Sequence, residues 1–415
     1  MARDASAASP LSRRCRGQHP GARALAGGPR GVRAGPVVPI LLLSLAAAAG
    51  GCGGGAGGEG PATSAIPMSL LQESWNAYTA RFIQADGRVI DWQGGQVTTS
   101  EGQAYAMLRA AWMRDRPTFD RVLGWAQANL NQGVRDDHLW AWRWGRAGDG
   151  SWRVLDAAFA SDAEQDAALA LLIAWKSWDD PRYLASARET LADLWERGTM
   201  VVSGRRILLA GDSLCQGRTC RLNPSYQAPY AYRIFARHDP GHDWATLVDT
   251  TYWLLDANAQ MTATHLPSNW LRIEVATGTL QPGSDEDAAY SYDAFRTHWR
   301  LALDAALYSE PRARSFLDRS LAWVVDRWQR DQKIPAVIAA GGGAMVDYEA
   351  PEMLAVLMAA LQPSAPDVAD AMQRRVQSSY AGGIWGDRDA YYLQNWAWFG
   401  SALYGRQLAP FELAK

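Results

Sequence analysis

Residues 311–330, PRARSFLDRSLAWVVDRWQR, carry the pattern that decides the fold. Apolar side chains recur in this segment at intervals of three, four and seven residues: Phe316, Leu317, Leu321, Val324, Val325 and Trp328. This spacing places them on one face of an α-helix, as is typical of a helix that covers a hydrophobic core. Pro311 stands at the first position of the segment, where the missing backbone N–H leaves no helical bond unmade.

The same periodicity recurs after residue 68. It predicts twelve helices, over 69–84, 101–114, 117–130, 162–177, 181–197, 227–237, 241–258, 291–307, 311–330, 349–361, 366–380 and 389–404. We therefore expect one all-α domain over 69–415, in which six antiparallel helix pairs close into an (α/α)6 toroid. Periodicity alone leaves an open helical solenoid as the alternative. A small β-hairpin is expected where 200–202 and 207–209 flank the turn residues Ser203 and Gly204.

Composition restricts the partners of this domain. Residues 1–51 hold seven of the 41 Lys and Arg residues but one of the 43 Asp and Glu residues, so the remaining chain has a net charge of −8. An acidic body of this kind is a poor phosphate binder, which argues against a nucleic-acid partner. The 20 Trp and 15 Tyr residues predict either an aromatic core or a surface that stacks on flat ligands such as sugar rings.

The N-terminus has the features of an export signal over 1–51. An apolar run over 37–49 follows several arginines, and it is too short to span a bilayer. The sequence Ala49-Gly50-Gly51-Cys52 resembles a bacterial lipoprotein cleavage site, so Cys52 is a candidate for lipidation and membrane anchoring, with simple cleavage as the alternative. A Gly-rich linker is expected over 52–68. These features predict an exported protein, either periplasmic or secreted, and lipid-anchored if Cys52 is modified.

Two cysteines fall within the predicted domain. Cys215 and Cys220 are separated by four residues, and in an exported protein this spacing suggests a small disulfide loop. Two free thiols are the alternative. A zinc site is disfavoured because the pair lacks further nearby ligands.

Three carboxylates stand at predicted helix starts. Glu101 follows Ser100, Asp162 follows Ser161, and Asp293 lies three residues before Arg296. The structural alternative is that each acid favours a helix dipole or forms a surface ion pair, with Ser100 and Ser161 as caps paired to Gln103 and Glu164. Together, however, the acids suit glycoside hydrolysis, which needs one protonated acid and one carboxylate.

Other chemistries have little support in the sequence. It contains no GxSxG, HExxH or Gly-rich phosphate motif, and its six histidines are scattered. We therefore expect neither a metal site nor a cofactor.

Five ordered motifs resemble those of glycoside hydrolase family 8, in particular the endo-β-1,4-glucanases of bacterial cellulose-synthesis operons. They are GRVID over 87–91, TTSEGQ over 98–103, ASDAE over 160–164, NPSY over 223–226 and YDAFR over 292–296. The resemblance extends from about Trp75 to Tyr404. It implies an (α/α)6 fold and inverting cleavage of internal β-1,4 links in a polysaccharide, with a functional link to a cellulose synthase complex.

The resemblance also implies residue roles. Glu101 would be the general acid, Asp293 the general base, and Asp162 the group that holds a distorted sugar. Substrate-binding roles would fall to Trp142, Tyr226, Tyr292 and Arg296. Glu164 departs from the family, which usually has Asp at this position.

The implied mechanism makes physical demands on these groups. Glu101 would need a raised pKa, through burial or the nearby Asp162 charge, and the acid and base should stand about 6.5–9.5 Å apart. Chitosan, xylan and mixed-linkage β-glucan remain alternative substrates. A glucan-binding lipoprotein without catalysis is the alternative from another functional class.

Overall fold

A computed structural model describes residues 66–212 and 214–408. The predicted export signal over 1–51 and Cys52 lie outside the described residues, as does most of the predicted linker over 52–68.

Thirteen α-helices occur in the described part of the chain. They are α1 (Met68–Phe82), α2 (Ser100–Trp112), α3 (Arg116–Ala126), α4 (Ser161–Trp178), α5 (Pro181–Gly198), α6 (Pro229–His238), α7 (Ala245–Ala259), α8 (Asp285–Ala288), α9 (Arg296–Tyr308), α10 (Pro311–Asp331), α11 (Pro351–Leu361), α12 (Pro366–Gln377) and α13 (Tyr391–Tyr404). All twelve predicted helices are confirmed, and only the single turn α8 was not predicted. Helix α9 begins five residues later than expected, so Asp293 lies in the turn that precedes it.

The helices form an inner and an outer set. Helix α11 is buried on every side beyond its first residue, whereas α10 buries the single apolar face that its sequence predicts. Five inner helices each pack against the outer helix that follows them, as α2 does with α3 and α4 with α5, and α1 covers α13. The ring closes where α13 contacts α2. This closure confirms the (α/α)6 toroid over the open solenoid.

Eleven short strands lie in the connections between the described helices. They are β1 (Thr98–Thr99), β2 (Arg143–Arg146), β3 (Trp152–Asp156), β4 (Thr199–Val202), β5 (Arg205–Leu208), β6 (Cys215–Gln216), β7 (Thr219–Leu222), β8 (Leu271–Glu274), β9 (Leu280–Pro282), β10 (Tyr380–Ala381) and β11 (Ile384–Trp385). The predicted hairpin is β4–β5. The sheets β1–β2–β3, β6–β7–β8–β9 and β10–β11 were not predicted, because strands of two to five residues are too short to show a reliable alternation.

Two of these sheets lie next to the first residues of inner helices. Strand β1 runs directly into α2. Strand β8 begins directly after Trp270, whose side chain contacts Asp293 in the turn before α9. Cys215 and Cys220 face each other across the β6–β7 pair and are joined by a disulfide. None of the described helices is both long enough and apolar enough to cross a membrane.

Candidate active site

Three acidic residues from distant parts of the sequence meet at one end of the ring. Glu101 lies in the first turn of α2 and Asp162 in the first turn of α4. Asp293 lies in the turn before α9, whose first residue is Arg296. Each acid is therefore held at the amino-terminal end of an inner helix.

Arg296 joins the three carboxylates. Its Nη1 atom lies 3.1 Å from Glu101 Oε2 and 2.9 Å from Asp162 Oδ2, and its Nη2 atom lies 2.6 Å from Asp293 Oδ1. The Arg296 side chain is 1% exposed, whereas that of Asp293 is 29% exposed. The buried guanidinium thus forms ion pairs with three acids, of which Asp293 is the most exposed to solvent. We call these four residues the carboxylate cluster.

The cluster limits the separation of the two acids that matter most. Because the guanidinium is a rigid fork whose terminal nitrogens are about 2.3 Å apart, Glu101 Oε2 and Asp293 Oδ1 are separated by no more than about 8 Å. This limit admits the separation of about 6.5–9.5 Å at which a water molecule fits between two carboxyl groups.

Asp162 is the most deeply buried acid of the cluster, with a side chain that is 2% exposed. Burial raises its pKa to about 6, and the nearby Glu101 charge adds to this effect, although Arg296 opposes it. Three acids share one arginine, so the cluster has excess negative charge, and Asp162 binds a proton more readily than an exposed aspartate does.

Aromatic residues donate hydrogen bonds to those oxygens of Glu101 and Asp293 that do not bind Arg296. The Tyr391 hydroxyl donates to Glu101 Oε1 at 2.9 Å, and Trp270 Nε1 donates to Asp293 Oδ2 at 3.0 Å. The ring of Tyr226, which the family resemblance assigns to substrate binding, lies against the Arg296 guanidinium at 5.3 Å. Tyr391 and Trp270 were missed, because nothing local in the sequence connects them to acids 290 and 23 residues away.

Two other expected substrate-binding residues have different surroundings. The Tyr292 carbonyl oxygen accepts a hydrogen bond from the Tyr392 hydroxyl at 2.5 Å. Trp142 is 6% exposed, and its carbonyl oxygen accepts from the Ser100 N–H at 3.0 Å, directly beside Glu101. The structure thus brings the Trp142 backbone to the site while its ring is largely buried.

The sequence of this chain is similar to those of known proteins. Residues 61–327 match the model of glycosyl hydrolases family 8. The chain belongs to glycoside hydrolase family 8. An endoglucanase from Xanthomonas axonopodis pv. citri is 36% identical over 256 residues, which are 59% of this chain and 63% of that protein. The family 8 chain therefore spans less than two thirds of the length of that relative.

Solved structures share the same fold. An endo-1,4-D-glucanase from Vibrio fischeri ES114 superposes with a TM-score of 0.70 at 25% identity, over 80% of this chain and 94% of that one. A β-1,3-1,4-glucanase from Paenibacillus sp. X4 has a TM-score of 0.69 at 18% identity, over 81% and 91% of the two chains. The family 8 fold thus occurs in proteins whose names specify different glucans.

Both expected capping boxes of this family 8 chain are wrong. Thr99, not Ser100, caps α2 by accepting from the Gly102 N–H, while Gln103 binds backbone groups of other segments. No side chain caps α4. Glu164 instead accepts from the Trp140 N–H at 2.8 Å and is fully buried, which raises its pKa well above the ordinary value. It therefore fixes the segment that leads to Trp142.

A second ion pair lies one helical turn deeper. Arg300 and Asp166 form two hydrogen bonds of 3.0 Å, and the Tyr230 hydroxyl joins them at 3.1 Å. This pair links α4, α6 and α9 at the centre of the ring, below the carboxylate cluster. Among the described residues, no group of His, Cys, Asp or Glu side chains has an arrangement that could hold a metal ion.

Proposed function

We propose that this chain is an endo-acting, inverting glycoside hydrolase that cleaves β-1,4-glucan. The observation that carries this proposal is the convergence of Glu101, Asp162 and Asp293 on Arg296. General acid and base catalysis of glycoside hydrolysis requires two carboxyl groups on opposite sides of the scissile bond. A cluster that holds one deeply buried carboxyl group with a raised pKa and exposes another carboxylate suits this chemistry.

In the proposed reaction, Glu101 gives its proton to the glycosidic oxygen as the bond to the anomeric carbon breaks. Asp293 takes a proton from a water molecule that attacks the opposite face of the same carbon. The released chain end gains the Glu101 proton and the new sugar end gains the water oxygen. Proton exchange with solvent then restores both carboxyl groups.

The remaining cluster residues have supporting roles in this proposal. Arg296 orients the Asp293 carboxylate because it donates directly to one of its oxygens. Asp162 binds the sugar at the cleavage position, with Tyr226 and Tyr292 beside it and Trp142 at a neighbouring sugar. The charge of Asp162 also makes a second negative charge on Glu101 unfavourable.

The choice of β-1,4-glucan is supported by the names of the relatives, which include endoglucanases and an endo-1,4-D-glucanase. Chitosan, xylan and mixed-linkage β-glucan are the alternatives, because a shared fold does not determine which ring substituents are recognised. Release of reducing ends should therefore be compared on carboxymethylcellulose and these three polymers.

The mechanism is tested by two isosteric variants. Glu101→Gln and Asp293→Asn should each abolish turnover while the circular dichroism spectrum and melting temperature show a folded protein. Asp149→Asn, which changes an exposed acid in the β2–β3 turn, is the matched control and should keep full activity. Normal turnover by either cluster variant would remove that residue from its role.

Two further results would redirect the proposal. Proton NMR of the first products should show the α-anomer, and initial release of the β-anomer would refute inversion. If the unmodified protein binds glucans but releases no reducing ends from any of the four polymers, the chain is a glucan-binding protein instead.

Export and a link to cellulose synthesis are part of the same proposal. The disulfide between Cys215 and Cys220 is consistent with an oxidising compartment outside the cytoplasm. Fractionation of cells that produce the chain with Cys52 or with Cys52→Ser should separate a lipid-anchored protein from a periplasmic or secreted one. Loss of membrane association in the variant alone would support lipidation.

A further inference from the structure

Asp293 and its turn are held by hydrogen bonds from two residues that the sequence did not predict to belong to the site. The residues concerned are Asn269 and Trp270, which immediately precede strand β8 of the disulfide-containing sheet. Both are buried, at 4% exposure each. They contact the turn before α9 in two different ways.

Asn269 fixes the backbone of that turn. Its Oδ1 atom accepts from the N–H groups of Ser291 and Ala294, at 3.2 and 3.1 Å, and its Nδ2 atom donates to Ser291 Oγ at 2.8 Å. The two N–H groups flank Asp293 in sequence. The position of the Asp293 backbone is therefore set from the sheet side.

Trp270 fixes the carboxylate itself. Its Nε1–H donates to Asp293 Oδ2 at 3.0 Å, while Arg296 donates to Asp293 Oδ1 at 2.6 Å. Both oxygens thus have one donor each from the protein. Because each carboxylate oxygen has two lone-pair sites, one site per oxygen stays available toward the exposed side of the residue.

The indole ring has little freedom to leave this position. The Arg221 guanidinium lies over the ring at 4.5 Å and is paired with Asp287 at 2.6 Å. The backbone N–H of Trp270 donates to the Asp287 carbonyl oxygen at 2.8 Å. The Tyr226 ring meets the indole ring edge-on, with the two ring centroids 5.8 Å apart. Strand β7, helix α8 and the Tyr226 segment thus converge on one side chain.

We propose that Trp270 is a positioning residue for Asp293. The indole N–H of Trp270 and the Arg296 guanidinium together orient the Asp293 carboxylate toward the attacking water. This inference rests on the proposed function of Asp293 as the base. Two donors on opposite oxygens oppose rotation of the carboxylate. In this proposal Trp270 acts on the reaction only through the Asp293 carboxylate.

Trp270→Phe tests the inference, because it removes the N–H and keeps an aromatic ring under Arg221. We expect kcat on carboxymethylcellulose to fall about tenfold to a hundredfold, with little change in KM, since a hydrogen bond to a charged group is lost. The charged groups around Asp293 are Arg296, Glu101 and Asp162 in the cluster, with Arg221 and Asp287 behind the indole, and the variant leaves all five in place.

Trp75→Phe is the matched control. The Trp75 Nε1–H also donates to a carboxylate, Asp115 Oδ2 at 3.0 Å, and Trp75 is 1% exposed. The control should lose stability but keep the kcat and KM of the unmodified protein. An unchanged kcat in Trp270→Phe, or a loss confined to KM, would overturn the positioning role.

A second measurement does not depend on activity. The indole N–H resonance of Trp270, assigned by its absence in Trp270→Phe, should move in Asp293→Asn. If this resonance keeps its position in that variant, the contact with Asp293 is refuted even if no glucan is cleaved. If the resonance responds but the unmodified protein is inactive, the proposed function fails and the contact stands.

Discussion

Replacing Asp162 by Asn should stabilise this protein at neutral pH, although Asp162 belongs to the proposed catalytic machinery. The reason is its burial: its side chain is 2% exposed and shares one arginine with two other acids. An ionised carboxylate in this position is less stable than in water. Asparagine has the same shape and carries no charge.

The magnitude follows from the pKa of Asp162, which burial raises from the ordinary 3.8 to about 6. A shift of this size corresponds to about 3 kcal/mol of stability, which the folded state loses when the carboxyl ionises. Asparagine cannot reproduce both hydrogen bonds of the carboxylate, to Arg296 and to the Ala163 N–H, and one lost bond costs about 1 kcal/mol. The expected net gain at neutral pH is therefore about 2 kcal/mol.

The sign depends on pH in a defined way. Because the folded-state pKa lies above the unfolded value, the folded state binds the proton more tightly, so stability falls as the pH rises from about 4 to about 6. Above about pH 6 the full cost is present, and below about pH 4 both states are protonated and the cost disappears. The advantage of Asp162→Asn should follow the same course.

The assay is urea denaturation of both proteins at about pH 7.5, above the window set by these pKa values, and at about pH 4, at its lower edge. Asp162→Asn should unfold at higher urea at neutral pH and lose that advantage in acid. Asp149→Asn, at an exposed carboxylate, should show no such pH-dependent gain. Two results would refute the claim that the ionised Asp162 destabilises the fold. One is an Asp162→Asn variant that is less stable than the unmodified protein at neutral pH, and the other is a gain in stability that is equal at both pH values.

Two other predictions concern neighbouring residues. Asp166→Asn should destabilise the fold by about 3–5 kcal/mol in urea denaturation, because it leaves the buried Arg300 without its charged partner, and a cost no greater than that of Asp149→Asn would contradict the structural role of the pair. Tyr391→Phe removes the hydroxyl that donates to Glu101, so kcat on carboxymethylcellulose should fall about tenfold with KM largely unchanged; an unaltered kcat would show that Glu101 needs no such support.

The helices could be predicted from the sequence because each one is encoded locally. The buried face of α10 follows from the spacing of its own apolar residues, and the same reasoning located all twelve long helices. The starts were less certain. Residues 291–295 form turns rather than the first turn of α9, since Asn269 binds the Ser291 and Ala294 N–H groups from another segment. No local pattern reports a partner that lies more than twenty residues away.

The site shows the same division. Glu101, Asp162, Asp293 and Arg296 were all selected from the sequence, by their places at helix starts and by a family resemblance, and the structure brings them together. The roles predicted for them remain proposals. Trp270 was missed because its contribution is a single N–H placed by a sheet whose strands are too short to predict.

One long-range feature of the ring could nevertheless have been found by its period. Asp162 and Asp166 are four residues apart on α4, and Arg296 and Arg300 are four residues apart on α9, so each pair lies on one helix face. Both ion pairs join residues 134 positions apart in sequence, which is what two facing helices in fixed register require. The deeper pair matches one acid with one arginine and is closed to solvent. The outer arginine meets three acids near solvent. The same two helices therefore hold a balanced ion pair in the core and, one turn higher, a cluster with a surplus of negative charge, in which the buried Asp162 has a raised pKa.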